Sequence, residues 1–345
     1  MKAHDFCLYL SKPEMIGCIS MVSAMINKGK NVKLKSESLM IGGAEQWIHY
    51  NEAHLHEPLI LFLHGGPGVV QVPMLTRYCQ PLYENFLLVH WDQRGAGRSY
   101  HFFDKTDLTV PLLVNDGVEL ARVLCQKFKK NKVILLGHSW GTALGVLMCN
   151  ASPGLFHKYI GIGQVGNWLK GEHISYHYTR DQALERKQYV AVKILDKIGP
   201  PPYRNIVELL IQRTLLIRFG GGMYSGKSAL NMIPEYVLWG KSSFLRIPQV
   251  TAGSWYSTAS LWEQCLAIDL NLLAPELQVP VCFITGRYDY QIPFACAEEY
   301  FNNLVAPEKQ WYWFENSAHT PFIEETDKFN RLVVNEILSD RNRFL

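Results

Sequence analysis

The run Val133-Ile134-Leu135-Leu136 leads straight into Gly137-His138-Ser139-Trp140-Gly141 and then Ala143-Leu144-Gly145-Val146-Leu147-Met148, and few folds accommodate that succession. Consecutive apolar residues of this kind read as a strand buried on both faces. The small and apolar residues after Gly141 read as a helix packed against a sheet. A strand that becomes a helix within a few residues must turn sharply, and glycine on either side of the turn lets backbone approach where a side chain would collide. The residue at the tip, Ser139, then projects out of the sheet. Buried strand, sharp turn and packed helix predict an α/β architecture.

The same rhythm recurs along the chain. Leu59-Ile60-Leu61-Phe62-Leu63, bounded by Pro58 and by His64-Gly65-Gly66-Pro67-Gly68, reads as another fully buried strand, as does Leu87 to Trp91. Val110 to Lys130 has helical spacing at Leu113, Gly117, Leu120, Val123 and Leu124. Tyr159 to Ile162, Val281 to Thr285 and Gln310 to Phe314 complete the strands, while Asn31 to Met40 and Ala44 to Tyr50 suggest a hairpin around Gly42-Gly43. The result is a mostly parallel sheet with helices on both faces. From about Asn167 to Leu266 the rhythm stops, and charged helical stretches, Gly199-Pro200-Pro201-Pro202-Tyr203 and Gly220-Gly221-Gly222 take its place. Residues 167–266 are therefore expected to form an inserted helical cap, 31–166 and 267–345 the sheet domain, and 1–30 an N-terminal extension.

Composition narrows the function. The chain has 345 residues, 48% hydrophobic and 19% charged, and its 34 basic and 31 acidic residues leave a formal charge of +3. No basic block with interleaved aromatics offers a nucleic-acid footprint. Lys127, Lys129, Lys130 and Lys132 instead suit the C-terminal end of a helix. The eight cysteines are scattered, without a Cys-X-X-Cys pair or zinc-type spacing, and Cys149 and Cys282 sit in apolar runs as small hydrophobes. A reduced, cytoplasmic compartment fits this usage. Met15 to Val22 is apolar but too short to span a bilayer, so stable membrane insertion is not expected. Asp5 and Glu14 interrupt a signal-peptide pattern, which leaves export or tethering through the N-terminus as the alternative.

A serine hydroxyl is a weak nucleophile, so acyl transfer at Ser139 requires a histidine to take its proton and an acid to orient that histidine. Asp289 lies in Gly286-Arg287-Tyr288-Asp289-Tyr290, just past the strand at Val281. His319 lies in Glu315-Asn316-Ser317-Ala318-His319, just past the strand at Gln310. Their order after the serine, each beyond the end of a strand, is where catalytic groups gather in open α/β sheets. The oxyanion needs two donors: the N–H of Trp140, after the nucleophile, and one from the glycine loop, Gly66 or, failing it, Gly65.

His64-Gly65-Gly66-Pro67-Gly68, Trp91-Asp92-Gln93-Arg94-Gly95-Ala96-Gly97-Arg98-Ser99 and Gly137-His138-Ser139-Trp140-Gly141 together resemble the proline iminopeptidases, over roughly residues 45–165 and 275–335. The resemblance implies the α/β-hydrolase fold with a helical cap, a Ser139-Asp289-His319 triad, an oxyanion hole at Gly66 and Trp140, and buried polar networks around Asp92 and Arg94. It also implies that cap glutamates hold the free amino end of a short peptide. Glu172, Glu185, Glu208, Glu235 and Glu263 are available, and Glu235 and Glu263 are spaced like the family's pair. Trp239 and the other cap aromatics could line an apolar pocket. No metal or organic cofactor is required. The expected activity is release of an N-terminal residue from a peptide or small amide. Two alternatives stay open: a carboxylesterase or lactonase on a small ester with a bulky apolar group, and a non-catalytic binding protein on a hydrolase frame. The dehalogenase and epoxide hydrolase branch needs an aspartate at the position of Ser139.

Overall fold

The computed structural model describes residues 32–101, 107–224 and 247–339. The N-terminal extension expected at 1–30 lies outside the described residues. Eight strands, β1 (Lys35–Ile41), β2 (Ala44–Tyr50), β3 (Leu59–Leu63), β4 (Leu87–Asp92), β5 (Val133–His138), β6 (Phe156–Ile162), β7 (Val281–Gly286) and β8 (Lys309–Phe314), form one sheet in the order β1-β2-β4-β3-β5-β6-β7-β8. The hairpin β1–β2 and the pair β2–β4 are antiparallel, and every pairing from β4 to β8 is parallel. The helices are α1 (Val72–Tyr78), α2 (Gln80–Asn85), α3 (Val110–Phe128), α4 (Trp140–Ala151), α5 (Trp168–Glu185), α6 (Tyr189–Ile198), α7 (Ile206–Arg218), α8 (Ile247–Leu266), α9 (Leu270–Leu273), α10 (Phe294–Asn303), α11 (Pro321–Glu324) and α12 (Thr326–Leu338).

Every residue of β3, β4 and β5 is buried, which is why these strands read as unbroken apolar runs rather than alternating ones. Leu61, Leu63, Val89, Trp91 and Leu135 share a core with Leu113, Leu120, Ala121 and Leu124 of α3 and with Ala143 and Leu144 of α4. Helix starts follow side-chain caps: Thr109 Oγ1 accepts from Leu112 N at 3.2 Å to open α3, and Asn167 and Asn205 open α5 and α7 in the same way. At the other end of α3 the lysine run caps the helix, with Lys129 in the left-handed region at φ 52°.

A buried ion pair locks the hairpin to the helical layer. Arg94 donates to both carboxylate oxygens of Asp116, at 2.7 and 2.9 Å, and to the carbonyls of Ile41 and Gly42. Gln46 joins it, donating to Asp116 at 2.8 Å and accepting from the Trp91 indole. Between β6 and β7 the described elements are the helices α5 to α9, and Tyr176, Ala183, Leu195, Tyr203, Leu209 and Phe219 make a small core there. Among the described residues no helix is long and apolar enough to cross a membrane.

Candidate active site

β5 ends at His138 and α4 begins at Trp140, so a single residue, Ser139, makes the turn. Its backbone stands at φ 56°, ψ −122°, a conformation that costs a non-glycine residue free energy and persists only where surroundings impose it. Those surroundings are explicit. Ser139 N donates to Ile162 O of β6 at 3.0 Å, and its carbonyl accepts from both the N–H and the hydroxyl of Thr142. A side chain at Gly141 would stand 2.1 Å from the Leu63 carbonyl, so the helix can begin against the end of β3 only with glycine there.

Asp289 lies past β7 and His319 past β8. One carboxylate oxygen of Asp289 accepts from the backbone N–H groups of Gln291 and Ile292 at 3.0 and 2.9 Å, which aims the other at His319 Nδ1, 2.8 Å away. Both residues are buried. With its Nδ1–H donating to the carboxylate, the neutral imidazole keeps its lone pair on Nε2. That nitrogen is buried and has no hydrogen-bond partner among the described residues.

The loop His64–Gly68 runs beside the serine, since a methyl group on Gly65 would stand 3.1 Å from Ser139 Cβ. Gly66 occupies φ 119°, a region essentially reserved for glycine. Trp140 opens α4, where the first N–H groups of a helix have no intrahelical acceptor. Its indole is buried and donates to Gln93 Oε1 at 2.9 Å, and Gln93 in turn donates to the His64 carbonyl and to His64 Nε2. Segment Trp91–Ser99 therefore braces the glycine loop and helix α4 together. Asp92 within it sits 3.2 Å from His49 and accepts from Arg98 N. Burial alone would raise this carboxyl, yet His49 and the Arg98 N–H hold it below its ordinary range.

Two residues that sequence reasoning did not single out join these loops. His138 donates from Nε2 to the His319 carbonyl at 2.9 Å and accepts at Nδ1 from the Gln71 amide at 2.8 Å. Gln71 Oε1 accepts from Gly65 N at 2.9 Å. One chain of hydrogen bonds thus runs from the glycine loop through the residue before the serine to the backbone of His319. Burial, reinforced by the neighbouring His319 ring, pushes His138 well below the usual histidine range and keeps it neutral, as its two roles require. The only sequence signal was its place in the Gly-X-Ser-X-Gly turn.

The glutamates of the insertion divide by environment. Glu263 is on the exposed side of α8 and Glu185 is also exposed. Glu208 is paired with Arg204. Glu172 is buried, bonded through Oε1 to Arg213, with the Trp168 indole also acting on its carboxyl. Burial raises its carboxyl against the opposing pull of Arg213. It lines a cleft with Trp168, Asn167, Gln291 and Ile292, next to the Asp289 loop. Glu235 and Trp239 lie outside the described residues. Trp168, Tyr176 and Tyr203 are buried, Tyr176 and Tyr203 in the small core of the insertion.

Comparison with known proteins agrees with this architecture. Residues 58–326 match the family described as alpha/beta hydrolase fold. The chain is 32% identical to a probable aminopeptidase, YbaC, of Bacillus subtilis (strain 168), over 88% of this chain and 96% of that protein. It is 24% identical to a proline iminopeptidase of Heyndrickxia coagulans, over 84% and 93% of the two chains. A proline iminopeptidase crystal structure from Mycobacterium smegmatis superposes with a TM-score of 0.62 at 17% identity, covering 88% of this chain and 98% of that one. With a buried parallel sheet, a serine at its strand-to-helix turn and a family match over most of its length, the chain belongs to the α/β-hydrolase fold family.

Proposed function

We propose that the protein is a serine hydrolase that acts through an acyl-enzyme on Ser139 and releases an N-terminal residue from a short peptide or small amide. The observation that carries the reading is the state of His319: oriented through Nδ1 by Asp289 at 2.8 Å, with the buried Nε2 unpartnered among the described residues. In this reading Ser139 Oγ attacks the substrate carbonyl while its proton passes to His319 Nε2. Asp289, held by two backbone N–H groups, stabilises the imidazolium that forms. The N–H groups of Gly66 and Trp140 receive the oxyanion of the tetrahedral intermediate. Collapse expels the amine, which takes the proton back from His319, and water repeats the sequence on the acyl-enzyme. None of these steps calls for a metal or cofactor.

The relatives named aminopeptidase and proline iminopeptidase support an amide substrate with a free amino end. A substrate ammonium would gain most from a carboxylate that is desolvated, and among the glutamates of the described insertion Glu172 is the buried one that lines the cleft beside the Asp289 loop. One observation favours ester hydrolysis as a second reading: Arg213 already neutralises Glu172.

Turnover of proline β-naphthylamide against p-nitrophenyl esters of varied acyl length separates the two, with Ser139→Ala as blank. Ser139→Ala is expected to lose at least ~10³-fold in kcat and all labelling by a fluorophosphonate probe, in line with removal of a triad nucleophile. Glu172→Gln is expected to raise KM for the aminoacyl amide and leave ester turnover within about twofold. Ester turnover alone, indifferent to Glu172, would make the protein an esterase. A Ser139→Ala protein that retains turnover of both would remove the serine mechanism altogether.

A further inference from the structure

The glycine run of the insertion, Gly220-Gly221-Gly222, is not used by the chemistry above, yet it touches both loops that supply it. It follows α7, whose end it closes through Gly220 N to Ile217 O at 3.1 Å and Gly221 N to Leu216 O at 3.0 Å. Its next two carbonyls then leave the insertion. Gly221 O accepts from Tyr290 N at 2.9 Å, and Gly222 O accepts from His319 N at 3.2 Å. Tyr290 is the neighbour of Asp289, so one short segment holds the aspartate loop and the histidine itself.

The contacts around the segment leave little freedom. A methyl on Gly221 would stand 2.4 Å from Leu216 Cδ1, 2.7 Å from Tyr178 Cε1 and 3.1 Å from Tyr290 Cβ. Tyr178 of α5 stacks flat on Tyr290, ring centres 3.7 Å apart and planes 8° from parallel, and its hydroxyl donates to the Phe219 carbonyl at 3.2 Å. The backbone of His319 is thereby gripped from two sides. Its N–H donates to the insertion at Gly222, and its carbonyl accepts from His138 on the nucleophile strand.

We propose that Gly220–Gly222 is a positioning strap: through its paired carbonyls, and the Tyr178–Tyr290 stack behind them, the insertion sets the alignment of Asp289 with His319. The inference rests on the serine-hydrolase reading. Proton transfer depends on the His319–Asp289 geometry, whereas substrate binding does not, so loosening the strap lowers kcat and spares KM. A misplacement of about 1 Å at a catalytic group can cost ~10²-fold in rate.

The full chain carrying Gly221→Ala, beside Gly154→Ala as control, tests this. Gly154 has no atom near the position a methyl would take. Turnover of p-nitrophenyl acetate, its pH profile and the low-field proton resonance of the His319–Asp289 hydrogen bond are measured together. Gly221→Ala is expected to lose about 10- to 100-fold in kcat with KM within about twofold, to shift the acid limb of the pH profile and to broaden or move the low-field resonance. Gly154→Ala should match the parent. Tyr178→Leu, which removes the stack without crowding the backbone, is expected to change the same readouts in the same direction by ~3- to 10-fold, and carries the test if Gly221→Ala does not fold. Parent values of kcat and an unmoved resonance in folded Gly221→Ala or Tyr178→Leu would overturn the strap. Ser139→Ala in the same assay keeps the two ideas apart. If it abolishes turnover while the strap variants behave as the parent, only the strap is wrong, and if it retains turnover the underlying mechanism is wrong.

Discussion

His138 matters through what its two ring nitrogens hold. One supports the His319 carbonyl and the other the Gln71 amide that steadies Gly65. Replacement by phenylalanine keeps the ring volume and leaves buried polar groups unpaired on both sides, at about 1–3 kcal/mol each. His138→Phe is therefore expected to lower kcat by ~10- to 100-fold with little change in KM, whereas His138→Gln, whose amide can still donate to His319 O, recovers a large part. Equal losses in the two variants would mean that packing, not the donated hydrogen bond, is what counts. Sequence reasoning found Ser139, Asp289 and His319 as candidates because each follows an apolar run that ends in a loop. It passed over Gln71 and His138 because the bonds joining residues 71, 138 and 319 leave no local pattern. The glutamates of the insertion were equally opaque: Glu172 and Glu263 have similar sequence surroundings, yet one is buried against Arg213 and the other exposed.

Between elements, the pair that most deserves its burial is Arg94 with Asp116, which fastens the antiparallel hairpin to α3. Removing one partner leaves the other charge stranded, so Asp116→Leu is expected to cost about 3–5 kcal/mol in urea unfolding. The double change Arg94→Met with Asp116→Leu should recover much of that loss, because replacing both charges removes the desolvation penalty as well. Breaking the exposed pair Arg287–Glu315 by Glu315→Gln should leave the urea midpoint close to the parent's, because solvent screens the pair, and a loss as large as that of Asp116→Leu would undo the distinction. The strands themselves were readable, and their ends less so. β5 continues two residues beyond the apolar run to His138 because Gly137 and His138 still pair with Gly161 and Ile162 of β6. β6 starts at Phe156, before its apolar run, because pairing with Val133 holds it there across a register shift. Pairing partners extend a strand past the point where its own residues announce it. The buried position of Arg94 beside Asp116 joins positions 22 residues apart, which no periodicity reports.

Across the whole molecule, burial in and beside the sheet disfavours the charged form of several histidines. His64, His90 and His138 are buried, and burial pushes all three below the ordinary value of 6.5, His90 to about 3 and His138 well below. His90 shares a hydrogen bond with the Tyr83 hydroxyl at 2.6 Å, and among the described residues Asp92 opposes the effect of burial on His64 and His90 without reversing it. The unfolded chain has no such restriction and binds these protons from about pH 6.5 downward. In that window the unfolded state carries more protons than the native one, so stability is fully present above pH 6.5 and falls as the pH drops toward the folded-state values. Each histidine contributes a slope of about 1.4 kcal/mol per pH unit while its two states differ. Asp92 acts in the same direction but lower, since a carboxyl held below its ordinary range loses its stabilisation only under about pH 4. The urea midpoint is thus expected to be level between pH 8 and 7 and to fall steeply from 6.5 to 5, before carboxylates titrate. His90→Phe should flatten that slope by roughly one histidine's share, about 1.4 kcal/mol per unit, even though it also forfeits the bond to Tyr83. A midpoint that stays constant down to pH 5, or a slope unchanged in His90→Phe, would show that these buried rings are not where acid first acts on the fold.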